Sequence, residues 1–97
     1  MIPYILHPEA EAEIDAAAAV YEAQQSGLGT SFVAAVEHAV SFMRTYPESG
    51  ARVTGPYRRV LVRRFPYAVV YRLDPEHAFV IAVAHVRRRL GYWLHRA

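Results

Sequence analysis

The sequence contains no cysteine and no lysine. The first absence excludes disulfides and thiolate chemistry, and it fits a reducing cytoplasm, the expected location. The second makes all eleven basic residues arginine. Arginine clamps anions in a planar, two-pronged way but stays protonated, so it serves poorly as a base. No stretch reaches the ~18 consecutive apolar residues of a membrane span. Met1-Ile2-Pro3-Tyr4 lacks the basic start of a signal peptide, so neither insertion nor export is expected. The five histidines (His7, His38, His77, His85, His95) stand at no metal-ligand spacing. No glycine-rich phosphate loop and no serine in a nucleophile-elbow context occur. No cofactor and no metal are therefore expected.

What is present is a chain of 97 residues, 54% hydrophobic and 21% charged, enough for one small core and one domain over residues 1–97. The net charge of +2 hides a division. Residues 1–50 hold seven acids against one arginine, whereas residues 51–97 hold ten arginines against two acids. Such a basic half fits an anionic partner, either nucleic acid or an acidic protein segment; the bland alternative is a solvated charged face.

Pro3–His7 is short and β-prone, a first strand. Pro8 suits the first turn of a helix, and Glu9, Glu11, Glu13 and Asp15 favour the positive end of its dipole. Glu9 and Glu13, four apart, could pass for a metal pair, but the dipole alone accounts for a solvated acidic helix start. Ala10, Ile14, Ala17, Ala18 and Tyr21 make one helical face, ending near Gln25. Gly27-Leu28-Gly29 is a tight link, after which Thr30 or Ser31 can cap a second helix. Phe32, Val36, Ala39, Val40 and Met43 form its stripe, up to Tyr46-Pro47. Two helices so joined form an antiparallel hairpin.

Pro47–Pro56 reads as a loop. Alternation over Tyr57–Arg64 puts Arg58, Val60, Val62 and Arg64 on one face and Tyr57, Arg59, Leu61 and Arg63 on the other. Phe65-Pro66-Tyr67 breaks the run, as a stiff turn with buried rings or as an exposed aromatic contact. A strand follows over Ala68–Leu73, a turn at Asp74–His77, and then Phe79–Ala84, nearly all apolar and so covered on both sides. Leu90–Arg96 can form one or two helical turns. The fold class expected is α+β, in the order β-α-α-β-β-β with a short C-terminal helix. The helical hairpin packs on one face of a small, mainly antiparallel sheet, and the other face stays partly open.

This order, together with Tyr21, Gly27–Gly29 and Phe32, with Arg64-Phe65-Pro66-Tyr67, Val70-Tyr71, Ala82-Val83-Ala84-His85, and with Arg88 and Tyr92-Trp93, resembles the RelE/ParE superfamily of bacterial type II toxin–antitoxin toxins. Within it, these residues look like the ParE-like branch often labelled plasmid stabilisation proteins. Leu90 departs from the pattern, since relatives commonly carry proline there.

The resemblance implies a toxin that inhibits growth by binding an essential target, with DNA gyrase favoured. The contact surface it implies comprises Arg58, Arg59, Arg63, Arg64, Phe65, Tyr67, Arg87, Arg88, Arg89, Tyr92 and Trp93, although Tyr92 and Trp93 could equally pin the tail to the sheet. The alternative is a ribosome-dependent, metal-independent messenger-RNA endoribonuclease of RelE type, with His85 as general acid/base, Arg87 as phosphate clamp and Tyr92 as acid. Ala68 stands where RelE-like enzymes carry arginine, which removes one phosphate contact. A third reading is a degenerate member that only binds its partner. In every case the resemblance implies a cognate antitoxin whose acidic C-terminal segment wraps the chain in a hetero-oligomer, with DNA bound only through the antitoxin.

Overall fold

A computed structural model describes all residues from Met1 to Ala97. Five strands form one mixed sheet: β1 (Tyr4–Leu6), β2 (Ala51–Thr54), β3 (Tyr57–Leu61), β4 (Tyr67–Leu73) and β5 (Ala78–His85), ordered β1-β5-β4-β3-β2. Helices α1 (Pro8–Gln24) and α2 (Leu28–Thr45) lie between β1 and β2 in sequence, and a single 3-10 turn (Leu94–Arg96) ends the chain. The expected α+β order is present, with one strand more than expected. β1 runs parallel to β5, and all other neighbours are antiparallel. No helix is long and apolar enough to cross a membrane.

The additional strand is β2, placed by the sequence in a loop. It is four residues long, lies on the sheet edge, and is bounded by Gly50 and by the Gly55-Pro56 turn, where Gly55 takes φ +50°. Turn chemistry on both sides masks so short a strand. β3 also stops at Leu61, before the arginine pair. Arg64 adopts a left-handed φ of 71° in the turn and stands on neither face of the strand, contrary to the alternation.

α2 begins earlier than Thr30 or Ser31 would place it. Gly27 is the N-cap, at φ 88°, and no side chain of α2 caps it. The Glu22 carboxylate supplies the acceptor from α1, taking the N–H groups of Gly27 (2.9 Å) and Gly29 (3.0 Å). An acid late in one helix thus satisfies the free donors opening the next.

The hairpin buries Ala10, Ala17, Phe32, Val36, Ala39, Val40 and Met43 against Val62, Val69, Tyr71, Val80 and Val83 of the sheet region. Phe65 and Tyr67 turn into this layer, their rings packed edge-on against Tyr21 and Phe32 at 5.0–6.3 Å. Phe65-Pro66-Tyr67 is a turn whose two rings are half-buried.

The opposite sheet face is not left open. Residues 86–97 fold back across it, and Trp93, 1% exposed, closes a second small core with Tyr57, Val70, Ile81, Ala82 and Ala84. The Trp93 and Tyr57 rings meet edge-on at 4.8 Å. A bulge shapes that face: the β4–β5 register passes from Val70↔Ala82 to Tyr71↔Val80 and skips Ile81, so Ile81 and Ala82 both join the Trp93 cluster. In an all-apolar strand no alternation marks where such a bulge falls.

Candidate functional site

The site is where the tail crosses the sheet. β5 outruns β1, which pairs with it only as far as Val80, so its edge beyond that point lacks a strand partner. α1 and the tail fill the gap. Glu13 accepts the Val83 N–H (3.0 Å), and Arg96 donates to the Ile81 carbonyl (3.1 Å). Arg96 also grips Glu13 with both terminal nitrogens (2.9 and 3.0 Å), and Tyr92 donates its hydroxyl to the same carboxylate. Arg88 stands 3.6 Å from Glu13 and lies over the Tyr92 ring, 3.8 Å from its centroid. The Glu13 and Arg96 side chains are 15% and 6% exposed. A carboxylate so enclosed persists because charge-assisted partners replace water on both oxygens.

Glu13 is therefore not the solvated helix-start acid that the sequence implied. One signal was legible: Glu13 stands three residues after Ala10 and four before Ala17, inside the buried stripe of α1 rather than beside it.

The expected site residues separate into groups. Arg59, His85, Arg88, Arg89, Tyr92 and Trp93 line one small cavity of about 80 Å³. Arg87, Arg88 and Arg89 are exposed on the turn after β5. Arg58 is elsewhere: on the helical side of β3 it donates to the carbonyls of Glu48 (2.8 Å) and Gly50 (3.0 Å) and holds the loop before β2. Arg63 and Arg64 sit in the β3–β4 turn, exposed and apart from the cavity. Trp93, expected among the contact residues, is corrected to a core residue, because the tail turns its indole inward.

The candidate acid–base groups are engaged internally. His85 accepts the Arg87 N–H at Nδ1 (3.0 Å), which places the proton of the neutral ring on Nε2. Its ring packs edge-on against Tyr67 at 5.3 Å. Tyr92 has its pKa raised above the ordinary phenol range, first by burial and then by the hydrogen bond to Glu13. Tyr67 is raised too, by burial and then by the nearby Tyr21 and Glu13. No group of three or more acidic, histidine or cysteine side chains is placed to hold a metal.

A two-helix hairpin on a five-stranded mixed sheet, with an arginine-rich tail latched over the far face, defines a class of small α+β domain. The sequence pattern of the ParE toxin of type II toxin-antitoxin system, parDE, matches residues 4–90, and the chain belongs to that family. Antitoxin partnership is part of that system. A chain in a solved structure described as "Chromosomal ParDE TA system from P. aeruginosa" superposes with a TM-score of 0.75 at 17% identity, covering 88% of this chain and 96% of that one, a likeness of fold. No curated protein matches.

Proposed function

We propose that this toxin acts by binding rather than by cleavage, through the cationic surface of the tail, and that DNA gyrase is its leading target. One observation carries the reading. The Tyr92 hydroxyl, one of the two acid–base candidates, is spent on Glu13, and His85 keeps only Nε2 once Nδ1 takes the Arg87 N–H, while Arg59, Arg87 and Arg89 have no carboxylate partner. Unpaired arginines around a small cavity serve recognition of an anionic surface, and they supply no base. Ala68, buried under the tail, adds no cation where a nuclease would want one.

The test is pulse labelling of DNA and protein synthesis in bacteria just after induction of the chain without an antitoxin. DNA synthesis should fall first while translation continues. In the same assay Arg87→Ala and Arg89→Ala should weaken toxicity in steps of ~1–2 kcal/mol each, as contacts do, and His85→Ala should not bring the ~100-fold or greater loss expected of an acid–base group. Arrest of translation within minutes, with DNA synthesis intact, would establish the ribonuclease reading instead. No effect of soluble, folded protein on either would leave a chain that only binds its antitoxin.

A further inference from the structure

The helical side and the tail side of the sheet carry opposite charges that the chain does not pair with each other. On the helical side, Tyr4 and Leu6 of β1, Ile14 of α1 and Val36 and Val40 of α2 wall a cavity of about 420 Å³. Its rim is acidic. Glu11, Asp15 and Glu37 stand there exposed, and the ion pairs of the chain use Asp74, Glu13 and Glu9 instead. The one cation in the wall, Arg44, donates to the Ile2 carbonyl at 2.7 Å and lies over the Tyr4 ring. Three carboxylates against one guanidinium leave the rim negative.

The tail side offers the complement. Val86-Arg87-Arg88-Arg89-Leu90 is exposed throughout, just after β5. Arg88 is drawn to Glu13, but Arg87 and Arg89 reach no carboxylate. Val86, 42% exposed, and Leu90, 64% exposed, flank the arginines with uncovered apolar surface. Two apolar ends around a cationic middle match a cavity with an apolar wall and an acidic rim. The segment cannot fill that cavity within its own chain, because the helices pack on one face of the sheet and the tail crosses the other.

We propose that the chain associates head to tail with itself, the 86–90 turn of one copy seated in the α1–α2 groove of the next. Val86 and Leu90 meet the apolar wall, and Arg87 and Arg89 meet Glu11, Asp15 and Glu37. The two surfaces differ, so the contact is heterologous. Since they lie on opposite sides of the molecule, it continues as an open series rather than closing on a two-fold axis. Groove against groove and turn against turn are both opposed by like charge. The association covers arginines that a target would meet, so the two exclude each other; that consequence, unlike the association itself, rests on the function proposed above.

The test is sedimentation velocity on the full chain over a range of concentrations. At low ionic strength the parent should pass from monomer through dimer to longer species, and added salt should return it to monomer. Asp15→Asn with Glu37→Gln blunts the groove, and Arg87→Gln with Arg89→Gln blunts the turn, all at exposed positions. Each double variant, its fold checked by circular dichroism, should associate at least tenfold more weakly than the parent, and so should Leu90→Asp. An equimolar mixture of the two double variants retains one intact groove and one intact turn. It should recover the parent's affinity and stop at the heterodimer. Any of four results would overturn the proposal: a parent monomeric at every concentration in low salt, association indifferent to salt, a parent that stops at a dimer, or a mixture that associates no better than its components.

Discussion

Glu13 holds together parts of the chain that are far apart in sequence, so its loss should be felt beyond its own helix. Replacing it with alanine leaves the Arg96 guanidinium, the Tyr92 hydroxyl and the Val83 N–H without their acceptor. Breaking one member of a buried ion pair costs about 3–5 kcal/mol. Glu13→Ala should therefore lose about 3 kcal/mol in urea unfolding. Arg88→Ala, whose side chain is 56% exposed and 3.6 Å from the same carboxylate, should lose less than about 1 kcal/mol. Equal losses would mean that the latch is not organised around the Glu13–Arg96 pair.

Three tyrosines report the same packing through their protons. Tyr67, Tyr71 and Tyr92 all have raised pKa values, with burial the leading cause in each. A phenol that binds its proton more tightly folded than unfolded stabilises the fold fully below its unfolded pKa, near ~10. That contribution is lost as pH rises through the raised folded value. Stability should thus decline above about pH 10, and ultraviolet titration should show these tyrosines ionising later than an ordinary phenol. Alkaline melts on Tyr92→Phe should show a shallower decline than the parent, because one late-titrating group has been removed.

Among the elements, the helical hairpin was legible in the sequence through its apolar stripes, and strand β5 as an unbroken apolar run after a turn. The α2 stripe Phe32, Val36, Ala39, Val40 and Met43 is buried as the spacing required. β2 was not legible, being four residues between two turn signals, nor was the β5 bulge, since both residues it brings to one face are apolar. The tail was ambiguous for a different reason. Tyr92-Trp93 among arginines has the composition of a contact surface and equally of a hydrophobic clasp, and only the fold-back over Tyr57 and Val70 decides for Trp93. Of the expected site, the separation of Arg58 from Arg59 was legible in the strand alternation and the burial of Glu13 in its place within the α1 stripe, whereas the meeting of Arg59 with His85, Arg88 and Arg89 and the partners of Glu13 depend on tertiary register.

The junction of α1 and α2 yields a prediction at this scale. A Cβ added at Gly29 would lie 2.5 Å from the Ala18 carbonyl oxygen and 3.0 Å from Glu22, so the helices approach as closely as glycine permits. Gly29→Ala should force them apart and cost about 1–3 kcal/mol, as overpacking does. A thermal melt indistinguishable from the parent would show that the hairpin can shift without loss.

Across the whole molecule, the acidic first half supplies both helices and the basic second half supplies four of the five strands. The halves are joined by long-range pairing: Tyr4 of β1 stands opposite Ala78 of β5. A fragment of residues 1–77 keeps the hairpin but lacks β5, against which α1 packs and with which both β1 and β4 pair. It should be digested by protease many-fold faster than the full chain, with α2 no longer protected. A fragment as resistant as the parent would mean that the hairpin is stable without the strand it covers.

That pairing also sets an order of events during synthesis. At ~5–20 residues per second, roughly 4–15 s separate the making of Tyr4 from that of Ala78. Throughout that interval the apolar stripe of α2 has no completed sheet to cover it, and the arginines of the tail have not been made. The cationic surface at residues 87–89 is translated after every strand, so it is among the last features to be assembled. A partner waiting at the ribosome would meet the hairpin before the arginines of the tail exist.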